Sequence, residues 1–281
     1  MKMKKGISIW SFPPQSLADN LKLAADAGFD GVELALDQEG EISLTTSERE
    51  LLGIRRTAEE LGLETYSVAC ALGFDIPLTD DDPAVRAKAR DIVRREIFTA
   101  KTLECNSILV IPGCVCADFI DPNRIVDYET AYNRSLEAFL ELKEDAEKAE
   151  IHIGLENVWN KFLLSPLEMR DFIDKINSPF VGSYLDVGNT VANGYPEHWV
   201  KILGNRIKKV HFKDYRREAG GLCGFVDLLA GDVNYPAVTE ALASVGYDDW
   251  VTAEMIPNYK YYTEAIIYNT SYAMDKILGR K

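Results

Sequence analysis

Histidine is nearly missing from this chain, with three among 281 residues. Cysteine is scarcely commoner. The five present (Cys70, Cys105, Cys114, Cys116 and Cys223) are odd in number and have no scaffold spacing. Cys114 and Cys116 stand one residue apart, unlike the CxxC of redox or zinc modules, so the five are expected to be reduced packing residues of a cytoplasmic protein. Positive charge is also in deficit: 31 Lys and Arg against 45 Asp and Glu leave a formal net charge of −14. A surface of that sign does not neutralise a phosphate backbone, which excludes nucleic acid and anionic membrane as natural partners. No apolar run approaches the roughly 18 residues of a membrane span. The basic start Met1-Lys2-Met3-Lys4-Lys5 has the charge of a leader, but Gly6 to Trp10 is too short an apolar stretch before Pro13 and Pro14. No linker or low-complexity segment divides the chain, so residues 1–281 are expected to form one domain.

What is there is an alternation. Short apolar strands are expected near 5–10, 31–36, 63–69, 107–111, 151–156, 180–186, 207–213 and 250–255, with amphipathic helices between them. Ser16-Leu17-Ala18-Asp19 and Ser47-Glu48-Arg49-Glu50 read as capping boxes. Asp82-Pro83 and Ser165-Pro166-Leu167-Glu168 join a capping residue to a proline in the first turn. The helix expected over 83–103 carries its stripe at Val85, Ala89, Ile92, Val93, Ile97 and Ala100. Gly28, Gly62 and Gly246 stand where helices close. Eight such units in 281 residues average about 35 each, which favours a single parallel (β/α)8 TIM barrel. The competing open sheet calls for a glycine-rich loop after its first strand, and Trp10-Ser11-Phe12-Pro13-Pro14 stands there instead.

Period two then sorts the strand faces. Ile153 and Leu155 oppose His152, Gly154 and Glu156; Ser183 and Leu185 oppose Gly182, Tyr184 and Asp186. Val210 and Phe212 oppose Lys209, His211 and Lys213; Val251 and Ala253 oppose Thr252 and Glu254. Glu156, Asp186, His211 and Glu254 thus converge at the carboxyl ends of the last four strands, where barrel enzymes place their active sites. Three carboxylates and an imidazole in a half-buried mouth call for a cation. An oxygen-rich set with one nitrogen suits Mn²⁺, Mg²⁺ or Co²⁺ better than tetrahedral Zn²⁺. The plainer alternative makes them unrelated strand-end polar groups, salt-bridged to Lys209, Lys213 or Arg206.

Gly154-Leu155-Glu156-Asn157, Leu185-Asp186-Val187-Gly188-Asn189, Val210-His211-Phe212-Lys213-Asp214 and Thr252-Ala253-Glu254 together resemble the xylose-isomerase-like barrel family of sugar-phosphate isomerases and epimerases. The branch with ketose 3-epimerases and ribulose- or xylulose-5-phosphate 3-epimerases is the one most similar. The resemblance implies one divalent metal, Mn²⁺ first with Co²⁺, Mg²⁺ or Zn²⁺ as alternatives, on Glu156, Asp186, His211 and Glu254. It implies a ketose or ketose phosphate as substrate, with Glu156 and Glu254 as acid and base on opposite faces of C3 and a cis-enediolate between them. Asn189 stands where some free-ketose epimerases have a histidine, which leaves a phosphorylated ketose or another polyol open.

Trp10 and Glu33 point inward by parity: Trp10 as a surface for sugar carbons or plain core, Glu33 as a hydroxyl ligand or a partner of Lys213. Lys213, Arg216 and Arg217 are candidates for holding a phosphate, in the region after strands seven and eight. His152 is expected to be a satisfied interior residue and His198 a surface one. Competing activities are an inosose-type dehydratase of a cyclic polyol ketone and an aldose–ketose isomerase. A multi-zinc endonuclease fits poorly with three histidines and the negative charge, and a catalytically silent barrel has no need of a glutamate on each face. Homo-oligomers are common for such barrels, and no interface signature stands out.

Overall fold

The computed structural model describes residues 3–280; Met1, Lys2 and Lys281, at the ends of the expected domain, lie outside the described residues. Eight parallel strands close a barrel: β1 (Lys4–Ser8), β2 (Gly31–Leu36), β3 (Glu64–Cys70), β4 (Ser107–Val110), β5 (His152–Glu156), β6 (Val181–Asp186), β7 (Ile207–Phe212) and β10 (Trp250–Ala253). The ring order β1-β10-β7-β6-β5-β4-β3-β2 places each barrel strand beside its sequence neighbours, as repeated right-handed crossovers require. Between β7 and β10 lies a small antiparallel ribbon, β8 (Asp214–Tyr215) with β9 (Phe225–Val226), which the sequence reading did not anticipate. Asp214 organises it by accepting the backbone N–H groups of Tyr215, Leu229, Gly231 and Val233.

The helices are α1 (Leu17–Asp26), α2 (Glu48–Glu60), α3 (Pro83–Thr102), α4 (Tyr128–Ala149), α5 (Pro166–Ile176), α6 (Val187–Val191), α7 (Pro196–Leu203), α8 (Tyr235–Ser244) and α9 (Ala265–Ile277). Their starts follow the expected chemistry. Ser16, Asp82 and Ser165 each accept a first-turn N–H, and Ser47 and Glu50 form a complete capping box. Gly28, Gly62 and Gly246 all adopt positive φ, between 75° and 80°. Among the described residues, no helix is long and apolar enough to cross a membrane.

Two layers of side chains result from the period-two pattern. Val32, Leu34, Val68, Ile108, Ile153, Leu155, Leu185, Val210, Phe212, Val251 and Ala253 are buried in the core between sheet and helices. Each such burial contributes on the order of 1.5–3 kcal/mol for the larger side chains. The barrel interior is different: a small apolar group of Ala69, Leu109 and Tyr184, with Trp10 against it, surrounded by Ser8, Glu33, Ser67, His211 and Thr252. Gly154 makes room for Tyr184, because a Cβ there would meet the ring at 2.8 Å. Two register shifts tune the interior. One, between Val32 and Glu33, aligns Glu33 with Ser67; the other, between Ser183 and Tyr184, aligns Asp186 with His211.

Three expectations need correction. Trp10 lies not on the first strand but in a 3-10 turn, Ile9–Ser11, because β1 ends at Ser8. Cys223 is exposed in the loop after β7, whereas Cys70, Cys105, Cys114 and Cys116 are buried; all five are free thiols. His152 is half-buried rather than interior, with Nδ1 3.2 Å from the Asn106 carbonyl and its ring stacked on Phe180.

Candidate metal centre and active site

Four strand ends deliver four side chains to one buried spot. Glu156 closes β5, Asp186 closes β6, His211 is next to last in β7 and Glu254 follows β10. One potential ligand atom from each lies within 4.8 Å of all the others. None of the four is more than 5% exposed.

Local bonding fixes how each group is presented. Asp186 caps α6: its Oδ1 accepts the Asn189 N–H at 2.9 Å, which leaves Oδ2 turned to the cluster. Asn157 braces the same backbone from both sides, donating Nδ2 to the Asp186 carbonyl at 2.8 Å and accepting the Asp186 N–H at 2.9 Å. His211 lies with Nε2 2.9 Å from Glu33 Oε1. Its other nitrogen, Nδ1, faces Glu254 Oε2 at 3.6 Å and Glu156 Oε1 at 3.9 Å. His211 Nδ1 is buried without a hydrogen-bond partner, and Asp186 Oδ2 and Glu254 Oε2 share the single ammonium of Lys213. A lone-pair nitrogen facing crowded carboxylate oxygens is what a divalent cation would satisfy, and the donor set fits one.

The charges say the same. Burial, reinforced by the Glu254 charge, pushes the Glu156 carboxyl up to about 8. Burial likewise raises Asp186, against the pull of Lys213. Burial opposes ionisation of Glu254 too, but Lys213 and His211 outweigh it and hold that carboxyl far below the usual range. For His211, burial disfavours the imidazolium, yet Glu33 and Glu254 reverse this and raise it well above its ordinary value. Acidic groups crowded in a buried site are stable only with a proton or a cation among them.

Among the described residues, the ammonium of Lys213 reaches this cluster. Its Nζ lies 3.1 Å from Asp186 Oδ2, contacts Glu254 Oε2 and sits 5.0 Å above the Phe225 ring. Lys209 pairs with Asp249 and Arg206 with Asp174, so the strand-end salt-bridge alternative survives only at Lys213.

The other expected site residues separate. Glu33 is fully buried and engages His211 and the Tyr184 hydroxyl rather than Lys213; with both oxygens engaged it has no free face for a sugar. Trp10 lies against the interior group of Ala69, Leu109 and Tyr184. Asn189 donates Nδ2 to the Asn157 carbonyl at 3.0 Å and lines a cleft of about 720 Å³ beside the centre, with Trp159, Tyr195 and Tyr215. Arg217 turns its guanidinium to the Val191 and Gly194 carbonyls, beyond the end of α6. Arg216 donates to the Ala230 carbonyl and lines a second cleft of about 480 Å³, between the loops after β7 and β10, where Lys260 also stands. Sequence reasoning gave no role to Asn157 or Tyr184, though both lay in view: one follows Glu156, the other shares the inward face of Asp186.

A family model described as "Xylose isomerase-like TIM barrel" matches residues 21–269. The L-ribulose-5-phosphate 3-epimerase UlaE of Escherichia coli is 26% identical over 237 residues, spanning 82% of this chain and 78% of its own. Among solved structures, a D-psicose 3-epimerase determined in the presence of D-fructose superposes with a TM-score of 0.80, at 18% identity over 99% of this chain and all of its own. The IolI protein, solved with a zinc atom bound, gives 0.78 at 18% identity, covering 99% of each chain.

Proposed function

We propose, for a chain that belongs to the xylose isomerase-like TIM barrel family, that it is a metal-dependent isomerase that epimerises C3 of a ketose or ketose phosphate. The observation that carries this reading is the pair Glu156 and Glu254 meeting at one buried cation-seeking cluster from strands that are not neighbours. In the barrel order β6 and β7 separate β5 from β10, so the two carboxylates approach from different sides.

Glu156, Asp186, His211 and Glu254 would hold a divalent ion, Mn²⁺ in our reading. Such an ion supplies Lewis acidity, drawing electron density from the carbonyl and hydroxyl oxygens of the sugar and acidifying the carbon between them. The chain's own groups do the rest. Glu156 Oε1 and Glu254 Oε2 face the cluster, which leaves Glu156 Oε2 and Glu254 Oε1 to carry protons. One takes the proton from C3 and the other returns it to the opposite face, which inverts that carbon. Lys213 is placed to donate to a sugar oxygen as it leaves Glu254 or Asp186. Trp10 offers an apolar wall to the sugar carbons, and burial of the cluster keeps water from competing for the proton. Of the three basic residues expected to hold a phosphate, Arg216 lines an open cleft near Glu254, so a phosphorylated ketose places its anionic end there.

Incubation of the Mn²⁺-loaded protein with a panel of ketoses and ketose 5- or 6-phosphates in heavy water, followed by NMR, tests this. Deuterium at C3 together with a new epimer is the expected result. Exchange at C1 or C2 would make the enzyme an aldose–ketose isomerase. Absence of exchange with metal bound would overturn the epimerase reading.

A further inference from the structure

We infer that Glu33 is a positioning residue for His211: through Nε2 it fixes the imidazole tautomer and leaves Nδ1 as the cation-facing nitrogen, with Tyr184 holding the other end of the Glu33 carboxylate. This rests on the metal-centre reading above. The geometry comes from four strands, β2, β3, β6 and β7. Glu33 of β2 is brought level with Ser67 by a register shift, deep inside the barrel, where it is fully buried. One oxygen lies 2.9 Å from His211 Nε2, and the other accepts the Tyr184 hydroxyl, which is itself 3.2 Å from Ser67 Oγ. The Tyr184 and His211 rings meet edge to face, with centroids 4.7 Å apart, so the imidazole is held by packing as well as by its hydrogen bond.

An ionised carboxylate has no proton to give, so a bond between Glu33 and Nε2 requires the hydrogen on Nε2. In the neutral ring that a bound cation requires, the lone pair is then on Nδ1, the nitrogen that has no hydrogen-bond partner and faces Glu156 and Glu254. A glutamine at position 33 removes the constraint. Its amide can donate to Nε2 and so stabilise the tautomer with hydrogen on Nδ1, which closes the ligand position. Outer partners of this type raise ligand basicity as well as orient the ring, and their loss weakens metal binding by roughly 10–100-fold.

The test has two readouts, neither of them turnover. The first is long-range ¹H–¹⁵N NMR of the histidines in wild-type protein loaded with diamagnetic Zn²⁺; with three histidines in the chain the spectrum is assignable by single substitutions. The expected signature is hydrogen on Nε2 and metal on Nδ1 of His211. Metal on Nε2 overturns the inference, even should the variants fail to fold. The second is Mn²⁺ affinity by competition with a chelating dye. Glu33→Gln is expected to lose roughly 10–100-fold and Tyr184→Phe less than tenfold. Glu33→Gln binding within about twofold of wild type overturns the inference while leaving the metal centre intact. Wild type that binds no Mn²⁺ or Zn²⁺ would instead overturn the metal-centre reading itself.

Discussion

The two ends of the barrel handle charge in opposite ways. At the amino-terminal end the buried lysines among the described residues, Lys5 and Lys209, are both paired. Lys5 Nζ lies 2.7 Å from Asp275 and 3.0 Å from Ser271, Lys209 is 2.6 Å from Asp249, and Asp30 takes the Arg280 fork and the Lys5 amide. These contacts tie the last helix and the segment after it to the first strand, and they close the floor under the stacked rings of Tyr66 and Trp250. At the carboxyl-terminal end three carboxylates gather around one histidine and one lysine; Asp186 and Glu254 share that lysine, and His211 Nδ1 has no hydrogen-bond partner. One end is built from satisfied pairs and holds the barrel shut. The other crowds like charges together at a cost in stability, as the proposed metal centre requires.

Substitutions at the two ends should therefore separate turnover from stability. The largest effect is expected at the top: Glu254→Gln or Glu156→Gln lowers C3 exchange by about 10²–10⁴-fold, far more than it lowers metal content, read by isotope exchange beside elemental analysis. Normal turnover in either variant would remove the two-carboxylate mechanism. At the bottom, Lys5→Met breaks a buried pair and should cost about 3 kcal/mol in denaturant unfolding while leaving exchange rates near wild type. A large loss of turnover at unchanged stability would erase the distinction between the ends. Stripping the metal sharpens the contrast from the other side. At about 100-fold excess over its dissociation constant a bound ion stabilises by about 2.7 kcal/mol, so chelation should lower the melting temperature in wild type and not in Asp186→Asn.

The smallest effect is a pH dependence of the floor. Burial opposes ionisation of Asp30, but Arg280 and the Lys5 amide outweigh it and hold the folded-state pKa below its ordinary value. A depressed carboxylate contributes stability that is present above its unfolded pKa, near ~3.9, and is lost as pH falls through the folded value. Urea unfolding between pH 2 and 5 should show a shallower acid loss in Asp30→Asn than in wild type. An equal or steeper loss in the variant would mean that Asp30 does not share in the acid sensitivity.

How much of this was legible in the sequence follows from range. Strand parity and capping are local, so the eight barrel strands, their inward faces and the meeting of Glu156, Asp186, His211 and Glu254 could be read along the chain. The place of Glu33 could not. Its alignment with Ser67 depends on a register shift between β2 and β3, and its partners lie on β6 and β7. Arg217 misled for a related reason: its guanidinium is held by the backbone carbonyls of Val191 and Gly194, which carry no side-chain signature. Trp10 was misplaced because parity runs past the true end of β1, where the backbone turns. For Lys213 the sequence leaves two roles open, a phosphate ligand or a salt-bridge partner of the strand-end carboxylates, and the structure places its ammonium on Asp186 and Glu254.

Whether the upper cluster seats one divalent ion decides between the proposed metal centre and a purely structural cluster. Equilibrium dialysis against Mn²⁺, with the free ion followed by electron paramagnetic resonance, addresses it directly when wild type is compared with Asp186→Asn. Asparagine keeps the α6 cap that Asp186 provides while removing the charge turned toward the cluster. One Mn²⁺ per wild-type chain and markedly weakened binding in the variant are expected. Wild type that binds none, or a variant that binds as tightly as wild type, would contradict the proposed metal centre.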